Sequence, residues 1–182
     1  VRIVAGTARG RPLFGPRSAK TIRPTADRVR ETVFNVIGPW LEGQTVLDLF
    51  AGTGALAMES ISRGAVRAVM VDREREATEL CRKNAEQLGF QVQAEVMAMP
   101  VERATKTLAA AGARFDIVFA DPPYAARALA ATAQAAAALL APGGVFCVEH
   151  DRREDAPERV GLLARVDQRR FGDTLVSLYR VA

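Results

Sequence analysis

The sequence predicts an α/β fold of Rossmann-like type: a mostly parallel seven-stranded sheet with a C-terminal antiparallel hairpin, preceded by a small basic hairpin and helix extension. Three observations carry this. From Gln44 onward, apolar runs alternate with stretches of helical periodicity, and strands separated by helices pair in parallel with helices on both faces. Gly52 and Gly54 fall where the first apolar run ends and a helix begins. Near the C-terminus, "LLARVDQRRFGDTLVSLYRV" holds two β-prone runs flanking Gly172 and Asp173, the pattern of an antiparallel hairpin at a sheet edge.

Taken in order, "RIVAGTARGRPLFGP" alternates short β-prone stretches with Gly and Pro, which predicts a small hairpin and then a loop to about Arg23. A helix follows, with Thr25 as N-cap, Asp27 in the first turn, and Val29, Val33, Val36, Ile37 and Trp40 at helical spacing. Strands are expected at 46 to 50, 66 to 71, 92 to 97, 115 to 120 and 144 to 149. Helices are expected near 55 to 63, 74 to 88, 101 to 111 and 126 to 141, the last stopped by the "PGG" at 142 to 144. The division is a basic arm over residues 1 to 24 and one α/β domain over 25 to 182. The arm is expected to be dispensable for folding, because the sheet and its helices begin after it.

Composition agrees with one compact unit. A chain of 182 residues with 49% hydrophobic residues and mean hydropathy of +0.02 can bury roughly 70% of its unfolded surface. Cys81 and Cys147 lack CxxC or metal-ligand spacing and His150 is the sole histidine, so no metal site is expected and the cysteines read as small apolar residues of a reduced compartment. No run approaches a membrane span, and the first residues lack the apolar core of a signal peptide; a cytoplasmic monomer is expected. Charge is uneven: residues 1 to 30 carry +7 and the rest −3. Arg2, Arg9, Arg11, Arg17, Lys20 and Arg23 form a candidate phosphate-binding surface for RNA.

Three segments carry chemistry. In "VLDLFAGTGALAMES", Gly52-x-Gly54-x-x-Ala57 lets the backbone turn tightly and a ligand lie against main-chain N–H groups. Asp72, 18 residues after Gly54 at the end of the second run, is placed to accept both hydroxyls of an adenosine ribose. Asp48, ahead of the glycines, would repel a pyrophosphate and attract the ammonium of an amino-acid tail, which favours S-adenosylmethionine over NAD. "FADPPYAA" ends the fourth run. Asp121 and the Pro122 carbonyl can accept the two hydrogens of an exocyclic base amine, freeing its lone pair, while Tyr124 offers a stacking face.

Asp48-x-Phe50-x-Gly52-x-Gly54, Asp72 and Asp121-Pro-Pro-Tyr124 resemble the motifs of class I S-adenosylmethionine-dependent amino-methyltransferases. "RIVAGTARGRPL", "RPTADRVRETVFNVI" and the final "FGDTLVSLYR" are similar to the RsmD family, which methylates the N2 amine of one guanine in 16S ribosomal RNA. The resemblance implies the class I methyltransferase fold. It also implies that Thr25, Asp27 and Arg28 lie near the methionine end of the cofactor, that Asp48, Gly52 and Gly54 hold its amino-acid tail, that Asp72 holds its ribose, and that Phe50 and Arg73 belong to the same cofactor site. Where many such enzymes hold adenine with an Asp or Asn, this chain has Met97-Ala98-Met99, leaving the task to the backbone of Ala98. The substrate implied is 16S rRNA in a partly assembled small subunit. An adenine-N6 methyltransferase of DNA or RNA, an NAD-dependent oxidoreductase and a non-catalytic RNA-binding module remain alternatives on the motifs alone.

Overall fold

The computed structural model of the chain describes residues 1–16, 25–122, 128–154 and 156–182. In chain order the elements are α1 (Thr25–Ile37), β1 (Thr45–Leu49), α2 (Ala55–Ser62), β2 (Arg67–Asp72), α3 (Arg75–Leu88), β3 (Ala94–Ala98), α4 (Val101–Ala110), β4 (Phe115–Ala120), α5 (Ala128–Ala137), β5 (Leu140–Asp151), β6 (Arg159–Val160), β7 (Leu163–Phe171) and β8 (Thr174–Val181). They form one sheet in the order β3-β2-β1-β4-β5-β8-β7-β6. Strands β1 to β5 are mutually parallel; β8 returns antiparallel on β5, and β7 on β8. The seven expected strands are joined by an eighth, β6, a two-residue edge strand on β7.

Unbroken apolar runs form the central strands because both sheet faces are covered. Val46, Met70, Phe119 and Cys147 face a core shared with Phe34 of α1, Met58 of α2 and Cys81 of α3. The alternate residues Leu47, Val69, Val118 and Phe146 face a second core with Leu108 of α4 and Leu129 of α5. The lower end of β1 is locked to β4 by Asp116, whose Oδ2 accepts from the Thr45 backbone N–H at 2.8 Å and from its hydroxyl at 3.0 Å. With the central register fixed in this way, the carboxyl ends of β1, β2, β4 and β5 lie along one edge.

Two local expectations are corrected. Trp40 is not on the apolar face of α1: the helix ends at Ile37, Gly38 follows with φ 126°, and the indole is 59% exposed. The "PGG" does not stop α5, which ends at Ala137; Pro142 to Gly144 lie inside β5, where the pairing with β4 shifts register between Phe115 and Ile117. A Cβ at Gly144 would lie 2.9 Å from the Ala141 carbonyl oxygen and 3.0 Å from that of Asp116. Glycine at 144 permits this close backbone approach.

The first sixteen residues form the expected hairpin, and it is packed onto the domain. Ile3 donates to the Arg11 carbonyl at 3.0 Å and Leu13 to that of Val1 at 2.9 Å, while Ile3, Ala8 and Leu13 are buried in the first core. Val4 and Ala5 donate their N–H groups to the Glu59 carboxylate at 2.8 and 2.9 Å. Ala8 N–H donates to the Ser62 hydroxyl, which itself donates to the Ala5 carbonyl. The Arg11 guanidinium donates to the Gln87 and Leu88 carbonyls, capping the negative end of α3.

Gly6, with φ 82°, passes so close to α2 that an added Cβ would lie 1.8 Å from the Ser62 carbonyl oxygen. Gly6→Ala should therefore displace the hairpin and lower the unfolding midpoint in urea. Ile3→Ala should cost about 2 to 4 kcal/mol, as for a buried aliphatic side chain. Midpoints unchanged in both variants would show that the hairpin is peripheral to folding.

Candidate active site

The carboxyl edge of the sheet opens into a cavity of about 640 Å³. One side is the turn from β1 to α2; opposite it are the ends of β4 and β5 and the turn joining β7 to β8; Val29, Arg30 and Val33 of α1 form a third wall.

The β1–α2 turn is built from unusual backbone. Phe50 is the only non-glycine described residue with positive φ, at 64°, and Gly52 and Gly54 follow at 57° and 74°. The turn is held at each step. Ala51 N–H continues the ladder to Val71, Gly54 N–H closes on Ala51, and Gly52 N–H donates to Asp72 Oδ2 at 2.9 Å. From below, the Cys81 thiol donates to the Gly52 carbonyl and the Asn84 amide to that of Thr53 at 2.9 Å. The same Asn84 side chain binds the N–H and carbonyl of Phe14.

The two glycines do different work. A Cβ at Gly54 would meet Met70 Sδ at 2.8 Å and Cys81 Sγ at 3.2 Å, so Gly54 lets α2 settle on the sheet. A Cβ at Gly52 would meet nothing within 4 Å; its open face lines the cavity. This is a bare backbone cradle, the surface against which a polar ligand tail can lie.

Two acids face this space. Asp48, 3% exposed, accepts from the Ala57 N–H at 3.3 Å. Burial pushes its carboxyl up to about 7, with Asp121 and Asp72 adding negative charge nearby and the Ala57 N–H opposing the rise. Asp121 is open to the cavity, yet the walls thin the water around it and push its carboxyl up to about 6. A cationic ligand would relieve both acids.

The predicted residues are therefore distributed as follows. Asp48, Phe50, Gly52 and Asp121 meet in the cavity. Asp72 lies one strand over, where its two oxygens brace the Gly52 and Glu74 N–H groups and each retains a lone pair for a ligand hydroxyl. Ala98 pairs with Asp72 across β3 and β2, and Met99 N–H donates to the Asp72 carbonyl. Arg73 points outward onto Glu74. Thr25 opens α1, Asp27 is paired with Arg30, and Arg28 is exposed; neither Asp27 nor Arg28 lines the cavity. Pro122 is buried beside Asp121. Tyr124, Arg17, Lys20 and Arg23 lie outside the described residues. Arg2 and Arg9 are exposed, and Arg11 is committed to α3.

Sequence reasoning missed Arg30, Glu149 and the Phe171 to Thr174 turn as cavity residues. Glu149 had a faint signal, since it ends an apolar run just as Asp121 does. Arg30 had none beyond charge, because only the docking of α1 brings it to the cavity.

Residues 1–180 match the family described as "Conserved hypothetical protein 95". The chain is 36% identical over 182 residues to the "Putative rRNA methyltransferase YlbH" of Bacillus subtilis (strain 168), spanning 99% of this chain and 98% of that one. It is 40% identical over 124 residues to the "Ribosomal RNA small subunit methyltransferase D" of Escherichia coli (strain K12), spanning 68% of this chain and 60% of that protein. Among solved structures, a T. thermophilus 16S rRNA N2 guanine methyltransferase in complex with AdoMet and guanosine superposes with a TM-score of 0.72 at 25% identity, over 91% of this chain and 45% of that one.

Burying Asp48 has a consequence for stability that can be measured. Its folded pKa lies above the unfolded value of 3.8, so between about pH 4 and pH 7 the folded state binds the extra proton and stability falls as pH rises. Asp48→Asn removes this dependence. At pH 8 the variant should be more stable than the wild type by on the order of a few kcal/mol, with little difference at pH 4. A gain that is the same at both pH values would mean that Asp48 titrates normally in the folded protein.

Proposed function

The chain belongs to the conserved hypothetical protein 95 family, the RsmD family, with the fold of class I methyltransferases, and on that footing we propose that it transfers a methyl group from S-adenosylmethionine to the exocyclic N2 amine of a guanine in 16S rRNA. The observation that carries this reading is the convergence of Asp48, the open face of Gly52 and Asp121 on one cavity. The relatives named for ribosomal RNA methylation support the substrate class.

The bound cofactor supplies an electrophilic methyl group on a sulfonium. The chain's residues bind and orient. Asp48 holds the ammonium of the amino-acid tail, the Gly52 backbone lets that tail lie close, and Asp72 takes the ribose hydroxyls while it braces the loop. The backbone of Ala98, next to Asp72 in the β3–β2 register, holds the adenine edge.

At the acceptor, the amine's lone pair is delocalised into the guanine ring. Asp121 and the Pro122 carbonyl accept its two hydrogens, Tyr124 stacks on the base, and the nitrogen pyramidalises with its lone pair aimed at the methyl carbon. As the new N–C bond forms and the C–S pair returns to sulfur, the nitrogen becomes cationic and the Asp121 carboxylate takes one of its protons. Arg2 and Arg9 with Arg17, Lys20 and Arg23 contact RNA phosphates. A single chain acts on a partly assembled small subunit in the cytoplasm; among the described residues no helix is long and apolar enough to cross a membrane.

A tritium-transfer assay from labelled S-adenosylmethionine, offered assembled small subunits, free 16S rRNA and duplex DNA, tests the reading. Label should enter N2-methylguanine of rRNA; label in adenine, or tight NAD binding without transfer, would replace this function with another. Asp121→Ala should keep cofactor affinity within a few-fold and lose most turnover, whereas Asp72→Ala should weaken cofactor binding by about 1.5 to 3 kcal/mol. Turnover should rise with pH through about 6 as Asp121 ionises, and cofactor affinity should rise with pH toward 7 as Asp48 does. Profiles flat from pH 5 to 8 would take both acids out of these roles.

A further inference from the structure

The cavity extends beyond the glycine-loop half that the proposed function gives to the cofactor. Its far half is made by β5, β8 and the β7–β8 turn: Cys147 and Val176 form an apolar floor, Phe171 a partly buried aromatic wall, and Glu149 contributes a carboxylate.

Register fixes which groups are neighbours there. Ala120 of β4 pairs with Val148 of β5, so Asp121 and Glu149 are the next residues along two strands whose backbones run about 4.8 Å apart. Both line the cavity. Two acceptors side by side match two adjacent donors. Guanine presents that pair on its Watson–Crick edge, the N2 amine beside the N1–H. Adenine presents an amine beside a bare N1 lone pair.

We propose that Glu149 is the residue that selects guanine: its carboxylate accepts the N1–H while Asp121 accepts from the N2 amine, with Phe171 as the apolar face beside the ring. The inference rests on the N2-methyltransferase reading and deepens it. An adenine in the same pose sets its N1 lone pair against the Glu149 carboxylate, two acceptors in contact with no proton between them, and an unpaired polar contact of this kind discriminates strongly. Glu149 binds the base and takes no proton in the transfer. The C-terminal hairpin thereby gains a role, since its turn completes the base pocket.

The test uses the full chain and small subunits reconstituted around 16S rRNA carrying either guanine or 2-aminopurine at the methylated position, which mass spectrometry of the wild-type product maps beforehand. 2-Aminopurine keeps the reacting amine but carries a lone pair at N1. Wild-type kcat/KM should favour guanine by about 100-fold or more. Glu149→Gln, whose amide can donate to that lone pair, should bring the ratio below about 10-fold, with cofactor affinity by calorimetry within about two-fold of wild type. Glu149→Asp retracts the carboxylate by one methylene and should also lower the ratio, which keeps the test open if the amide variant fails to fold. A ratio unchanged in the folded variants overturns the assignment of Glu149. If the wild type transfers no methyl to rRNA guanine at all, it is the N2-methyltransferase reading that fails.

Discussion

The Glu59 carboxylate, fully buried on α2, is the junction on which the cavity depends. It accepts from two backbone N–H groups of the N-terminal hairpin, forms an ion pair with Arg63 one turn along its own helix at 2.9 Å, and faces Arg30 of α1 at 3.6 Å. Arg30 in turn donates to the Arg2 carbonyl and to Asp27, while Arg63 donates to the Pro39 carbonyl and lies 4.5 Å above the Phe34 ring. Such a charge is tolerable inside a protein only while its partners stay; losing one typically costs about 3 to 5 kcal/mol. Three chain segments that share one apolar core with α2 are thereby also fixed in orientation relative to the helix that begins at the glycine loop, and α1 is held where it can wall the cavity.

That rigidity is what allows the site itself to be unfavourable. Asp48 is a carboxylate in a place that resists charge, and Phe50 adopts a backbone conformation that bulky residues avoid. Neither would persist on a loosely held loop. Here the loop is braced from β2 by Asp72, from β1 by Asp48 through the Ala57 N–H, and from α3 by Cys81 and Asn84. Stability lost at the acids is offset in the surrounding core, and the acids remain poised for a cation.

Much of this was legible from sequence because it depends on local periodicity. The five parallel strands fell near their expected places, and strand-end positions alone put Asp48, Asp72 and Asp121 on one edge. What was not legible depends on partners distant in sequence. Trp40 continues the spacing of α1, but Gly38 ends the helix first. "PGG" looks like a helix stop until the pairing of β5 with β4 draws it into a strand. The N-terminal hairpin is basic, so charge suggested a separate arm; only docking reveals that Ile3, Ala8 and Leu13 belong to the core. Glu149 becomes the neighbour of Asp121 solely through the register of β4 and β5.

Asn84 spends its amide on two places at once, the backbone of Phe14 and the carbonyl of Thr53. The N-terminal hairpin and the loop that faces the cavity thus share one fastener. Displacement of this hairpin would travel to the loop without any residue in between changing its identity. Lesions scattered over the first fourteen residues could then present in genetic or biochemical screens as failures of small-molecule binding, although none of those residues touches the cavity.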